Sequence, residues 1–463
     1  MKKITTLFLL CLLSIAAFAQ DITGHWNGVL KVSGIQLRVV FNITKTDTGY
    51  TSTMDSPDQG AKGIPVTSTT FENSILNLKV SNAGIEYKGE FKADSITGTF
   101  MQRGQSFALN LKRDSIEKPK LIRPQEPVKP YLYYSEEVTF RNEKAKLLLA
   151  GTLTLPAKEG IFPVVVLISG SGPQNRDEEL LGHKPFLVLS DYLTRNGIAV
   201  LRYDDRGVAK SEGEFKTATS RDFASDVEAA VSYLKTRKEI DKKKIGLIGH
   251  SEGGIIAPMV ASKSKDVNFI VLLAGTGIPG NQLLLLQQEL IGRASGVSEN
   301  DLQKTHEINS EVFDLVIKCN NTDTLRKELT GFLVQKLKES PDFQKPAGMS
   351  DIDYVKLQVD QISNPWMQYF IKYDPAPTLE KVKCRVLAIN GEKDLQVPAN
   401  ENLPVIKAAL LKGGNKNVTT MELPGLNHLF QECKTGLPGE YAQIEQTISP
   451  KALDEITEWI KLK

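Results

Sequence analysis

Cysteine and histidine are both scarce in these 463 residues, with four of the first and five of the second. Cys11, Cys319, Cys384 and Cys433 are widely spaced and form no CxxC pair, which excludes a disulfide-built scaffold. His25, His183, His250, His306 and His428 form no HExxH or His-rich tract, so no structural metal site is expected. Charge of one sign is also missing. Lys and Arg total 57 against 55 Asp and Glu, a net charge of +2 with no basic block, which gives no electrostatic footprint for nucleic acid. Beyond the first 20 residues no apolar run is long enough to span a bilayer, so an integral membrane protein is not expected. What is there, 41% apolar and 24% charged residues, suits a packed globular chain. Its length suggests two or three domains.

The N-terminus reads as an export signal. Lys2 and Lys3 precede an apolar run, Leu7–Ala17, broken only by Ser14, and Ala17-Phe18-Ala19 supplies small residues for a signal peptidase. The run is short for a membrane anchor. Residues 1–20 are therefore expected to be removed after Ala19 or Gln20, leaving a periplasmic or extracellular protein. Cys11 lies inside the run rather than at its end, which disfavours a lipoprotein. Loss of Lys2 and Lys3 leaves 55 basic and 55 acidic side chains, and the three remaining cysteines admit one bridge, with free buried thiols the simpler reading.

Residues 21–113 hold short, partly alternating β-type segments such as 36–44, 75–80, 85–91 and 106–112, separated by turn-formers. Such spacing predicts a small all-β domain, an antiparallel sandwich or barrel. Gly24-His25-Trp26 resembles the GxW opening of lipocalin-like barrels, although a module that only packs is the simpler reading. Residues 114–135, with Pro119, Pro124, Pro127 and Pro130, read as a semi-extended linker. From 136 to 463 apolar runs alternate with helical stretches, the pattern of a mostly parallel sheet buried on both faces. The alternation breaks at about 278–380, which is helical in pattern and longer than a connection requires, and so reads as a helical cap.

The chemistry concentrates at KIGLIGHSEGG (244–254), where Gly249-His250-Ser251-Glu252-Gly253 fits G-x-S-x-G after a strand and before a helix. In that context the serine hydroxyl stands above the sheet edge, and the N–H of Glu252 can stabilise an oxyanion. A serine needs a base held by an acid. Asp394 in GEKDLQVP and His428 in PGLNHLF each follow a strand, and the order Ser251, Asp394, His428 is that of α/β-hydrolases. The second oxyanion donor should come from Gly170-Ser171-Gly172-Pro173; Pro173 has no N–H, which leaves Ser171 or Gly172. His183 and Trp366 are candidates for the substrate pocket. Asp204-Asp205-Arg206 reads as loop-fixing ion pairs, and His250 as packing behind the elbow. Gly275–Gly280 fits GxGxxG, but Pro279 and the helical pattern downstream argue against a nucleotide site.

With SGSGPQNRD (169–177), GHKPF (182–186), RYDDRG (202–207), GHSEGG (249–254), NPW (364–366), GEKDLQVP (391–398) and PGLNHLFQ (424–431), residues 136–463 resemble bacterial α/β-hydrolase esterases of the D type. The resemblance implies an α/β-hydrolase fold and hydrolysis of short-chain carboxylic esters without a cofactor, with Ser251 as nucleophile, Asp394 as acid and His428 as base. Asn175 and Ala209 depart from the pattern, where Asp and Gly are expected. Two rival readings are an exopeptidase or amidase of prolyl-oligopeptidase type, and a glycan- or peptide-binding protein whose hydrolase domain is vestigial. Residues 21–135 are too few for a propeller, and the intact triad argues against the binder.

Overall fold

The computed structural model describes residues 21–32, 35–59, 61–102, 105–115, 123–339 and 350–462. The expected signal segment, residues 1–20, lies outside them. The chain divides into two compact units, the first before the proline-rich stretch and the second from Arg123 onward.

The first unit is all antiparallel. Its ten strands form one sheet, and the extended run 61–72 joins the ends. Strand Ala61–Pro65 pairs with Gly49–Ser56, while strand Ser68–Glu72 pairs with Ile75–Val80. Between them Val66 N donates to Ser52 O and Thr67 N to Lys79 O, so both ladders continue through the junction and the sheet closes as a barrel. Alternation sends every second side chain inward. Trp26, Phe41, Tyr87 and Phe100 are buried there, and the Trp26 indole N–H is satisfied by Ile22 O at 2.7 Å.

The second unit is built on an eight-stranded sheet: β1 (Tyr134–Asn142), β2 (Leu147–Leu155), β3 (Phe162–Ile168), β4 (Ala199–Tyr203), β5 (Ile240–His250), β6 (Phe269–Leu273), β7 (Arg385–Gly391) and β8 (Val418–Leu423). The order is β1-β2-β4-β3-β5-β6-β7-β8. β2 is antiparallel to β1 and β4, and the remaining pairs are parallel. The apolar runs are explained by burial on both sides: Val164 and Val166 face one core, Val165 and Leu167 the other. Helices α2 (Ser220–Thr236) and α3 (Gly253–Ala261) cover the first face, and α1 (Pro185–Arg195) covers the second, joined there by the C-terminal helix Pro450–Lys461.

Between β6 and β7 the chain leaves the sheet for α4 (Gly280–Ala294), α5 (Glu299–Lys318), α6 (Thr322–Glu339), α7 (Asp351–Ile362) and α8 (Pro365–Lys372). These helices share a small core of their own around Phe313, Leu325, Leu329 and Val359. The NPW tripeptide starts α8: Asn364 Oδ1 accepts from Met367 N at 2.8 Å, Pro365 takes the first turn, where no N–H is needed, and Trp366 follows.

The proline-rich stretch is not a free linker from Arg123 onward. Arg123 donates to Gly182 O and Ile444 O, and Gln125 exchanges bonds with Thr447 and Ile448. Proline fixes the backbone but says nothing about what the intervening side chains grip. Cys319, Cys384 and Cys433 are free thiols. Among the described residues no helix is long and apolar enough to cross a membrane.

Candidate active site

The parallel strands end at a common rim. Ile168 of β3 lies opposite Gly249 of β5, His250 opposite Leu273 of β6, and Gly391 of β7 opposite Leu423 of β8. Ser251 occupies the turn between β5 and α3 with φ +52°, a left-handed backbone that costs a serine about 1–2 kcal/mol. The sequence pays that cost with glycines on either side. A Cβ on Gly249 would lie 2.0 Å from Gly253 O, and one on Gly253 would lie 2.2 Å from Ile168 O. Any side chain at either position would force the turn open.

Asp394 and His428 leave the ends of β7 and β8 and meet: His428 Nδ1 lies 2.8 Å from Asp394 Oδ2. Both are nearly fully buried. Asp394 Oδ1 accepts from the N–H groups of Gln396 (2.8 Å) and Val397 (2.9 Å), which fixes the carboxylate plane. Because a carboxylate only accepts, Nδ1 carries the hydrogen and the neutral ring keeps its lone pair on Nε2. The His428 ring packs beside that of His250, the residue before Ser251, with centroids 4.9 Å apart. Among the described residues Ser251 Oγ makes no hydrogen bond to His428.

The loop after β3 passes close to the elbow: a Cβ on Gly170 would lie 3.3 Å from the Ser251 Cβ. Gly170 N is taken by Glu178 Oε1 at 2.7 Å. Among the described residues the N–H groups of Ser171, Gly172 and Glu252 have no acceptor in the protein and are free to donate. Asp205 clamps this loop at both ends, accepting from Ser169 Oγ (2.9 Å) and Gln174 N (3.1 Å), and burial pushes its carboxyl well above the usual range. Its neighbours form ion pairs. Arg176 is bidentate on Asp204, and Arg206 is bidentate on Asp226.

Two expectations change. His183, a pocket candidate, is 0% exposed, with Nδ1 against Thr447 Oγ1 (3.0 Å) and Nε2 against Tyr441 O (2.9 Å). Burial lowers it to about 4. A ring with both nitrogens engaged and no exposed surface offers a substrate nothing; it ties the 181–186 loop to the C-terminal segment. Trp366 reaches the site indirectly, its Nε1 donating to Glu252 Oε1 at 2.8 Å. Ser220 Oγ donates to the same oxygen at 2.6 Å. Glu252 thus offers its N–H on one side and links α8 to the elbow through its side chain, while burial raises its carboxyl against the opposing pull of those two hydrogen bonds. Sequence reasoning missed Glu178. No sequence pattern singles it out; in the structure its φ is +50°, which few glutamates adopt.

Residues 185–312 match the family model described as serine aminopeptidase, S33. Esterase EstD of Thermotoga maritima is 26% identical over 318 residues, which cover 67% of this chain and 65% of that protein. Thiohydrolase apmlB of Arthrinium phaeospermum is 28% identical over 229 residues, 48% of this chain and 63% of that one. The chain therefore matches a little under two thirds of the length of each of these relatives. A crystal structure of the Pyrococcus furiosus esterase Pf2001 aligns with TM-score 0.42 and 16% identity over 71% of this chain and 92% of that one. By strand order and elbow the second unit has an α/β-hydrolase fold, and its sequence is similar to that of Esterase EstD of Thermotoga maritima.

Proposed function

We propose that this chain is a serine hydrolase that cleaves carboxylic esters with short acyl groups. The observation that carries the reading is the Asp394–His428 bond, 2.8 Å long, at the rim where the strained Ser251 elbow also ends. His428 Nε2 takes the Ser251 proton as Oγ attacks the ester carbonyl. Asp394 holds the ring and stabilises the imidazolium. The N–H of Glu252, with that of Ser171 or Gly172, receives the oxyanion. His428 then protonates the leaving alcohol, and water, activated by the same base, releases the acid from Ser251. The apolar N-terminal segment supports export, with the mature protein acting in the periplasm or outside the cell.

The test is hydrolysis of a p-nitrophenyl ester series of increasing acyl length by wild type and Ser251→Ala. The variant should lose on the order of 10⁶ in kcat. Activity within about tenfold of wild type would reject the mechanism. The description of the matched family model favours a second reading, aminopeptidase or amidase action through the same residues. Aminoacyl and prolyl p-nitroanilides decide between them, and the ester reading expects the acyl esters to be turned over faster.

A further inference from the structure

His250 stands before the nucleophile and is buried, yet both of its ring nitrogens face acceptors. Nδ1 lies 2.9 Å from Glu178 Oε1, and Nε2 lies 3.0 Å from the main-chain oxygen of His428. A carbonyl only accepts, so Nε2 must carry a hydrogen. A carboxylate only accepts, so a hydrogen must also lie between Nδ1 and Glu178. The His250–Glu178 pair therefore holds one proton more than a neutral imidazole facing an ionised carboxylate. Glu178 Oε1 accepts from Gly170 N as well, at 2.7 Å. One chain of bonds thus runs from the loop carrying Ser171 and Gly172, through Glu178 and His250, to the loop carrying His428.

We propose that the His250–Glu178 pair is a positioning device for the ester-cleaving site: with its proton in place it locks the oxyanion loop and the His428 loop to the elbow, and without that proton the lock opens. This rests on the ester reading given above.

The groups packed around the pair support it. From the β3 loop comes Glu178 and, behind it, from the β4 loop, Asp205; from the β7 loop comes Asp394; from the β8 loop comes His428; Glu252 on the elbow turns its carboxyl toward Ser220 and Trp366. Burial of His250 favours its neutral form, but the Glu178 carboxylate beside it outweighs burial and holds the ring above the ordinary histidine range. No lysine or arginine is bonded to Glu178 or His250 among the described residues, so the pair is its own charge balance. Positioning of this kind acts on kcat more than on KM, because it aims groups that engage in the transition state.

The experiment measures kcat and KM for a short p-nitrophenyl ester from mildly acid to alkaline pH in wild type, His250→Ala and Glu178→Gln. Fluorophosphonate titration counts intact Ser251 in each preparation, and melting temperature reports the fold. Wild type should show an alkaline limb in kcat. His250→Ala should lose about 10- to 100-fold in kcat per titrated site, with KM within about threefold. In Glu178→Gln the amide oxygen must stay with Gly170 N–H, which shares it with His250 Nδ1, so a neutral His250 keeps only one of its two bonds and a charged ring loses its counter-charge. That variant should keep more activity than His250→Ala at mildly acid pH and move the alkaline limb to lower pH. Variants whose turnover per titrated site and pH profile match wild type would overturn the inference, whatever their melting temperatures. A wild type that neither labels nor hydrolyses the ester would sink the ester reading and this inference with it. An active wild type with indifferent variants sinks this inference alone.

Discussion

Asp394→Asn tests the handling of the proton with the least change in shape. Asp394 Oδ1 accepts from two main-chain N–H groups, Gln396 and Val397, while Oδ2 faces His428 Nδ1 at 2.8 Å. In the variant the amide oxygen must stay with the two N–H groups. Turning the NH2 toward them would set a donor against two buried donors, at about 1–3 kcal/mol for each one left unsatisfied. The NH2 therefore points at His428, Nδ1 has to accept, and the ring hydrogen moves to Nε2. A ring protonated there cannot take the Ser251 proton. The same change of tautomer in serine proteases lowers kcat about 10⁴-fold, or about 5.5 kcal/mol of barrier, and a loss of that size is expected here. KM should change little, and the melting temperature should stay close to wild type, because both main-chain bonds survive. The assay is steady-state hydrolysis of a short p-nitrophenyl ester near neutral pH. Activity within about tenfold of wild type would refute the assigned geometry.

Other consequences follow from the same contacts. Burial raises the Glu252 carboxyl above its unfolded value, so its contribution to stability is present at acid pH and lost as pH rises through the folded value; Glu252→Gln, whose Oε1 can still accept from Ser220 and Trp366, should melt higher than wild type at alkaline pH and show no gain near pH 4, as read by calorimetry. His183 has the opposite sign: lowered to about 4 by burial, it favours the folded state above its unfolded value of 6.5 and loses that contribution as pH falls toward 4, up to about 3 kcal/mol. His183→Gln should flatten the fall in urea midpoint across that window. Ala209 has φ +47° where the esterase pattern expects glycine, so Ala209→Gly should raise stability by about 0.5–1 kcal/mol in denaturant melts without changing kcat.

The sequence showed what depends on local pattern. Strands buried on both faces announce themselves as apolar runs, the elbow requires glycines at 249 and 253, and Asp394 and His428 could be placed because each follows a strand in chain order. Contacts between side chains distant in sequence were not legible. His183 reads as polar and loop-borne, but Tyr441 and Thr447, some 260 positions on, consume both of its nitrogens; that separation is 258 residues for the Tyr441 bond. Glu178 lies among charged neighbours, and only its fold-dependent meeting with His250, 72 residues away, separates it from them. The grip of Arg123 on Gly182, Ala442 and Ile444 was hidden by the prolines around it. Closure of the first unit's barrel depends on which strands the run 61–72 joins, and alternation alone does not specify a partner.

In the proposed mechanism Ser251 becomes a nucleophile because His428, held by Asp394, removes its proton. The decisive measurement is mass spectrometry of the full-length protein after reaction with a fluorophosphonate, followed by peptide mapping. A single adduct on Ser251 is expected, formed slowly or not at all in His428→Ala and Asp394→Asn. An unlabelled wild type, an adduct on another residue, or labelling of Ser251 at the wild-type rate in both variants would contradict it.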